Sequence, residues 1–289
     1  MKQPLKIAHI SDIHLSGAND RSHAARLTRL LQHLRNEQFD HLVITGDLGN
    51  HADPDEWRVV QQLLKQTEWY HWERCTILPG NHDLMNLEEE MRLYNALNPI
   101  QWFRQKAFQR KRQLFCELFY EIMGGKNQTF PFLKILNYPT LRLALVALDS
   151  VAAWHPSTNP LGARGFIEPQ QLTALQQPQI AEALRSCVVI GLCHHAYNVY
   201  GTDSLIDQAF DWTMELQNRD AFFSLMQQLG ASIVLHGHFH RFQSYQKEGI
   251  TFINGGCFRY NPYRYSELLL EADGSFQQQF LSLEEKEER

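Results

Sequence analysis

Five times along this chain a short apolar run ends abruptly in histidine, carboxylate or asparagine, and no other feature limits the fold as much. "LKIAHIS" runs into Asp12 and His14, "HLVITG" into Asp47, "RCTILPG" into Asn81 and His82, "CVVIGLC" into His194 and His195, and "ASIVLHG" into His238 and His240. Apolar runs of this length, rich in β-branched residues and bounded by turn formers, read as buried strands. Between them lie "DRSHAARLTRLLQHLRNE", "EWRVVQQLLKQTEW" and "RDAFFSLMQQLG", with apolar residues at helical spacing and Gly230 placed to cap the last. Alternating strands and helices predict an α/β chain whose polar strand ends converge on one ligand site.

"LRLALVALD" adds another buried strand, and after His240 the runs "FQSYQKEG", "ITFING", "RYSELLLEAD" and "SFQQQFLSL" predict an antiparallel meander with a turn at Asp273-Gly274. A mainly helical insertion is expected at about 84–139. It mixes Arg104, Lys106, Arg110, Lys111 and Arg112 with Trp102, Phe103, Phe108, Phe115, Phe119 and Tyr120. The leading expectation is an amphipathic hairpin whose aromatics pack on the core. The minority expectation is a lid over a phosphate-bearing or lipid substrate, which leaves a membrane contact through the insertion open. No repeat or low-complexity linker divides the 289 residues, so a single domain over 1–289 is predicted, with "EEKEER" as a frayed tail.

A net charge of -5 argues against a general nucleic-acid-binding surface, so no stable nucleic-acid partner is expected. The five cysteines, Cys75, Cys116, Cys187, Cys193 and Cys257, are scattered without C-x-x-C spacing and read as reduced thiols. "MKQPLKIAHISD" turns polar too early for a signal peptide, and no run has the length of a membrane span. A cytoplasmic protein is the expectation.

Carboxylate, imidazole and amide oxygen without thiolate suit Mn, Fe or Zn. The donors outnumber what one ion needs, so two are expected, roughly 3.5 to 4 Å apart if a carboxylate is shared. Taken singly, each residue has a structural explanation: Asp12 as a helix cap, Asn81 as a turn former, His194 as a core histidine. Taken together they would require several independent coincidences. His9 and His236 lie in strands and fit either a core role or support of the ligands. His23, His33, His41, His51, His71 and His155 read as surface or packing residues. Asn254-Gly255-Gly256 reads as a plain hairpin turn or, by the family resemblance given next, as a small-residue loop near the site.

The blocks "DIHL", "GDLGNH", "GNHD", "CHHA" and "GHFH", in this order across residues 12 to 240, resemble the signature of the calcineurin-like metallophosphoesterases. The spacing is most similar to the branch containing bacterial cyclic-nucleotide and glycerophosphodiester phosphodiesterases. The insertion departs from that branch, and Ala196 stands where the family usually has proline. The resemblance implies a four-layer β-sandwich flanked by helices. It implies a first ion on Asp12, His14 and His240, a second on Asn81, His194 and His238, and Asp47 between them. It also implies hydrolysis of a small-molecule phosphodiester or phosphomonoester by a metal-bridging hydroxide. His82, placed beside the ions by its neighbour Asn81, reads as the group that donates a proton or stabilises the transition state, with Asp83 orienting its ring, and His195 would face the substrate. The alternatives are a UDP-diacylglucosamine-type pyrophosphate hydrolase with a lipid-covering lid, a DNA nuclease, and a scaffold that has lost catalysis. Nothing in the sequence indicates an oligomeric state.

Overall fold

A computed structural model describes residues 3–17, 20–96, 101–125, 128–197, 212 and 214–283, excepting the side chains of 93–96 and 101–104. The side chains of Trp102, Phe103 and Arg104 and the tail 284–289 therefore lie outside the described residues. In chain order the elements are β1 (Leu5–Ile10), α1 (Arg21–Asn36), β2 (His41–Thr45), α2 (Pro54–Gln66) and β3 (Cys75–Leu78). Next come α3 (Asn81–Leu84), α4 (Leu87–Ala96), α5 (Gln101–Leu118), α6 (Tyr120–Met123), β4 (Phe132–Asn137) and β5 (Arg142–Ala147). Then follow α7 (Pro169–Leu175), α8 (Pro178–Leu184), β6 (Cys187–Leu192), α9 (Arg219–Gln228), β7 (Ala231–His236), β8 (Phe242–Lys247), β9 (Ile250–Gly255), β10 (Arg264–Leu270) and β11 (Phe276–Ser282).

The strands form two mixed sheets, one ordered β11-β10-β1-β2-β3 and the other β4-β5-β6-β7-β9-β8. Within them β1, β2 and β3 run parallel, as do β5, β6, β7 and β9. The period-2 geometry of β5 separates two cores: Leu143, Leu145 and Ala147 face the first sheet, while Ala144 and Val146 face α9 through Phe222 and Met226. Helix α1 presents Leu27, Leu30, Leu31 and Leu34 to the first core, and Asp20 caps it by accepting the His23 N–H at 3.3 Å. Helix α2 starts on Pro54 behind the cap Asp53, and buries Trp57, Val60 and Leu64. Each fully buried large side chain of this kind contributes roughly 1.5–3 kcal/mol. The result is the helix-sheet-sheet-helix layering expected of the sequence.

Two expectations need correction. The last four strands are not one meander. β8 and β9 form a hairpin in the second sheet, whereas β10 and β11 join the first beside β1. β9 is buried throughout, which suits a place between β7 and β8, and mostly buried β10 takes the matching place between β1 and β11.

The helical insertion is also shorter than 84–139, because its helices end at Met123 and Phe132–Asn137 is the edge strand β4. The buried Lys134 disguises that strand by occupying a core-facing position. Its ammonium donates to Trp72 O (2.9 Å), Cys75 O (2.6 Å) and Ile122 O (2.7 Å), tying β4 to the edge of the first sheet. The described part of the insertion packs as an amphipathic element: Phe108, Phe115 and Phe119 are buried, and Phe115 meets Trp57 edge-on at 5.5 Å. No helix among the described residues is long and apolar enough to cross a membrane.

Candidate metal centre

The carboxyl ends of β1, β2 and β3 in one sheet and of β6 and β7 in the other meet at one end of the sandwich. The two sheets approach so closely there that a Cβ on Gly46, at φ 97°, would lie 2.6 Å from His194 Nδ1. Immediately past the strand ends the backbone enters the left-handed region at Asp12 (φ 55°), His14 (50°), Asp47 (53°), His238 (72°) and His240 (52°). Each non-glycine residue held there costs on the order of 1 kcal/mol, and such strain concentrates at functional sites.

The side chains at these strand ends, with those of Asn81 and His194, form two adjoining groups. His14 Nε2 lies 3.1 Å from His240 Nε2, 3.8 Å from Asp12 Oδ1 and 3.6 Å from Asp47 Oδ2. On the other side of Asp47, Oδ2 is 3.4 Å from His194 Nε2, which lies 3.2 Å from Asn81 Oδ1. Donor atoms of Asp47, His194 and His238 fall within 4.8 Å of one another. Ligands bonded at about 2.1 Å to a shared ion stand roughly 3 to 3.5 Å apart, so these spacings fit a pair of cations flanking Asp47.

Backbone contacts select which atoms face inward. Asp47 Oδ1 accepts the His82 N–H at 2.8 Å, leaving Oδ2 for the imidazoles, and Asp12 Oδ2 accepts the His238 N–H at 3.0 Å, leaving Oδ1. His194 Nδ1 donates to Thr45 O at 2.6 Å, which directs Nε2 into the site. His238 Nε2 is buried with no hydrogen-bond partner among the described residues, as a ring nitrogen reserved for a cation would be.

The electrostatics agree. Burial alone would raise the Asp47 carboxyl, but His194, His82 and His14 outweigh it and hold Asp47 well below the usual carboxylate range. Burial would lower His194, yet Asp47 and Asp12 push it up to about 9. Burial and the neighbouring imidazoles keep His238 well below the ordinary histidine value, so it is neutral and able to ligate. An ionised carboxylate between imidazoles is a pocket built to attract positive charge.

His82 is half-buried beside this cluster, with its ring 4.9 Å from that of His14. Its expected pairing with Asp83 is corrected by the structure. Asp83 is buried and accepts N–H groups from Leu48 (2.9 Å), Gly49 (2.9 Å) and Gly80 (2.8 Å) and from Trp57 Nε1 (3.1 Å). Four donors leave it no reach to the His82 ring, whose Nδ1 lies instead 3.4 Å from Asn50 O. Asp83 therefore binds the loop after β2 to the loop after β3.

His195 is corrected too. It is 0% exposed, and Gly165 lies against its ring so closely that a Cβ there would overlap it. Its Nδ1 bonds Ser150 Oγ at 2.9 Å, so it does not face open substrate space.

His9 and His236 are buried within their strands and pushed down to about 3 and about 4, chiefly by burial. Asn254 is no hairpin turn: it lies within β9, paired with His236, and its Nδ2 donates to Gly237 O at 3.2 Å, beneath the His238 turn.

The sequence reading missed Ser150, whose place after the strand "LRLALVALD" was the available signal. It also treated Cys257 only as a scattered thiol. The Cys257 sulfur lies within 4.8 Å of donor atoms of His14 and His240, and donates to Asp12 O at 3.4 Å. All five cysteines are free.

A two-sheet sandwich carrying such a cluster at its strand ends defines a metallohydrolase class. The chain belongs to the calcineurin-like phosphoesterase family, whose model matches residues 5–242. Members of this family use a dinuclear metal centre, and the chain is accordingly a metal-dependent phosphoesterase. No curated protein sequence matches it significantly. Among solved structures, it is similar to a dimetal phosphatase from Danio rerio, with a TM-score of 0.58 and 14% identity over 97% of this chain and 99% of that one. The phosphopantetheinyl hydrolase of Mycobacterium tuberculosis aligns with a TM-score of 0.50 and 15% identity over 90% and 92% of the two chains. GAP50, described as the anchor in the inner membrane complex of Plasmodium, aligns with a TM-score of 0.54 and 11% identity over 97% and 85%. A phosphatase and an anchor thus share the fold, and at such identities these likenesses speak for the fold alone.

Proposed function

We propose that this chain is a dinuclear metal-dependent phosphodiesterase, acting in the cytoplasm on a small-molecule phosphodiester or monoester. The observation that carries this reading is Asp47 Oδ2, placed 3.6 Å from His14 Nε2 and 3.4 Å from His194 Nε2, between two ligand groups that together span both sheets. Asp12, His14 and His240 would hold one ion, Asn81, His194 and His238 the other, with Asp47 serving both. When bound, Mn, Fe or Zn at these positions supplies Lewis acidity toward a phosphoryl oxygen and activates water near neutral pH.

The chain's own residues supply the rest. His82 hands a proton to the departing alkoxide: its backbone N–H is fixed to Asp47, its Nδ1 faces Asn50 O, and Nε2 remains for the substrate. Asp83 keeps the two loops that carry Asp47 and His82 in register. A cytoplasmic setting is supported by the five free thiols.

The test is hydrolysis of bis-p-nitrophenyl phosphate and p-nitrophenyl phosphate by protein supplied with Mn²⁺. Faster turnover of the diester is expected, with activity abolished in Asp47→Ala. Full activity in that variant would overturn the assignment of Asp47, and preference for the monoester would overturn the diester reading.

A further inference from the structure

We propose that Ser150 is a positioning residue for the second ion's ligands and that Arg112, on the insertion helix α5, holds Ser150 in place. Three contacts converge on its buried hydroxyl: the N–H groups of His194 and His195, each at 3.1 Å, and His195 Nδ1 at 2.9 Å. A serine oxygen has two lone pairs and one proton. With both lone pairs occupied by the backbone N–H groups, the proton goes to His195 Nδ1. That count fixes His195 as the tautomer with its proton on Nε2. It also fixes the backbone from which His194 reaches toward Asp47 and Asn81.

The hydroxyl is itself held on both flanks. Asp149 Oδ1 accepts the Val151 N–H at 2.8 Å, its backbone N–H donates to Gln171 Oε1 at 2.9 Å, and Gln171 Nε2 returns a bond to Asp149 O at 2.8 Å. Phe166 N donates to the carbonyl of Ser150 at 2.8 Å. Arg112 closes this frame from α5. Its Nε stands 2.5 Å from the fully buried Asp149 Oδ2, and its Nη2 donates to Val151 O at 3.1 Å. The guanidinium thus grips the residues before and after Ser150, with geometry that lysine's single ammonium does not reproduce. Helix α5 is in this way a brace of the metal centre, reaching from the insertion through Asp149 and Ser150 to His194.

The inference rests on the dinuclear reading, and its test separates the two. Mn²⁺ binding is followed by calorimetric titration and by the electron paramagnetic resonance of the loaded protein, which distinguishes one ion from an exchange-coupled pair. Wild-type protein is expected to bind two ions. Failure to do so would remove the dinuclear reading itself.

In Ser150→Ala, affinity at the second site is expected to fall roughly 10- to 100-fold, the usual effect of removing a group that orients a metal ligand. The coupled signal should be lost at ion concentrations that saturate the wild type, while first-site affinity is retained. Ser150→Thr keeps the hydroxyl and should restore the pair. Arg112→Gln should weaken the second site in the same direction, and Arg112→Lys should not rescue it. Long-range ¹⁵N correlation spectra should show His195 protonated on Nε2 in the wild type.

Unchanged second-site affinity in Ser150→Ala, equal weakening of both sites, or an Nδ1–H tautomer of His195 would each overturn the proposal. If Ser150→Ala does not fold, the Arg112→Gln titration and the wild-type tautomer decide the question.

Discussion

Asp47 and His194 stand 3.4 Å apart, carboxylate oxygen to imidazole nitrogen, although they follow strands that belong to different sheets. That pair joins the two halves of the sandwich at the point where charge is most concentrated, and the stability of the fold should depend on what fills the space between them.

Divalent ions should therefore stabilise the folded chain, since the clustered donors exist only in the folded state. At a hundredfold excess over Kd, one site contributes about 2.7 kcal/mol. Thermal unfolding followed by circular dichroism should show Tm rising by several degrees with Mn²⁺ and falling back with a chelator. Asp12→Asn should lose most of the increase, and an undiminished shift in that variant would exclude Asp12 as a ligand.

His82 and Asp83 should separate cleanly. His82→Ala is expected to lower kcat about 10²- to 10⁴-fold with two ions still bound, as removal of a general acid does. Loss of an ion instead would make His82 a ligand, an assignment for which its proximity to His14 and Asp47 is suited. Asp83→Ala leaves four buried N–H groups without an acceptor, and denaturant titration should show a loss of about 3 kcal/mol or more.

Lys134→Met should destabilise the chain by about 2 kcal/mol in urea titration. Three carbonyls lose their donor, and relief from burying an ammonium offsets part of that cost. Metal affinity should not change, because Lys134 contacts Trp72, Cys75 and Ile122 rather than the strand ends that carry the candidate ligands.

His41 should contribute to acid sensitivity. Burial, and then the charge of Lys134, pushes it down to about 3, and its ring is bonded to Glu73 O at 2.8 Å and to Thr76 Oγ1 at 2.9 Å. The unfolded chain binds a proton on this ring below about pH 6.5 whereas the folded chain does not until about pH 3. Its share of stability is thus present above pH 6.5 and is lost as pH falls, at about 1.4 kcal/mol per pH unit. Between pH 6 and 4, the stability of His41→Asn should decline with a slope shallower by one proton. An identical slope would show that the ring is already protonated in the fold.

The site was legible in the sequence to the extent that its chemistry is local. Asp12, Asp47, Asn81, His194, His238 and His240 each follow a recognisable buried run, and parallel strands deliver run ends to one place. What was not legible depends on contacts between segments. Asp83 beside His82 looked like a ring partner because adjacency is all a sequence displays, whereas its acceptors are used by loop amides from another strand. His195 beside His194 looked substrate-facing for the same reason, until Gly165 and Ser150 enclosed it. In β4, a lysine at a core-facing position concealed a strand, because its three acceptors come from Trp72, Cys75 and Ile122. The split of the last four strands between sheets was equally hidden, since hairpin spacing gives neighbours along the chain and not the sheet they join.

Each candidate ligand group draws on both sheets: Asp12 and His14 meet His240, and Asp47 and Asn81 meet His194. Neither layer holds a working half. Turnover by this protein is therefore a gauge of how well its two layers remain docked. A displacement of about 1 Å between them, too small to register in helix content, would separate the ligand sets and extinguish activity, since misplacement on that scale costs about 10²-fold. Under mild denaturant, inactivation should precede melting.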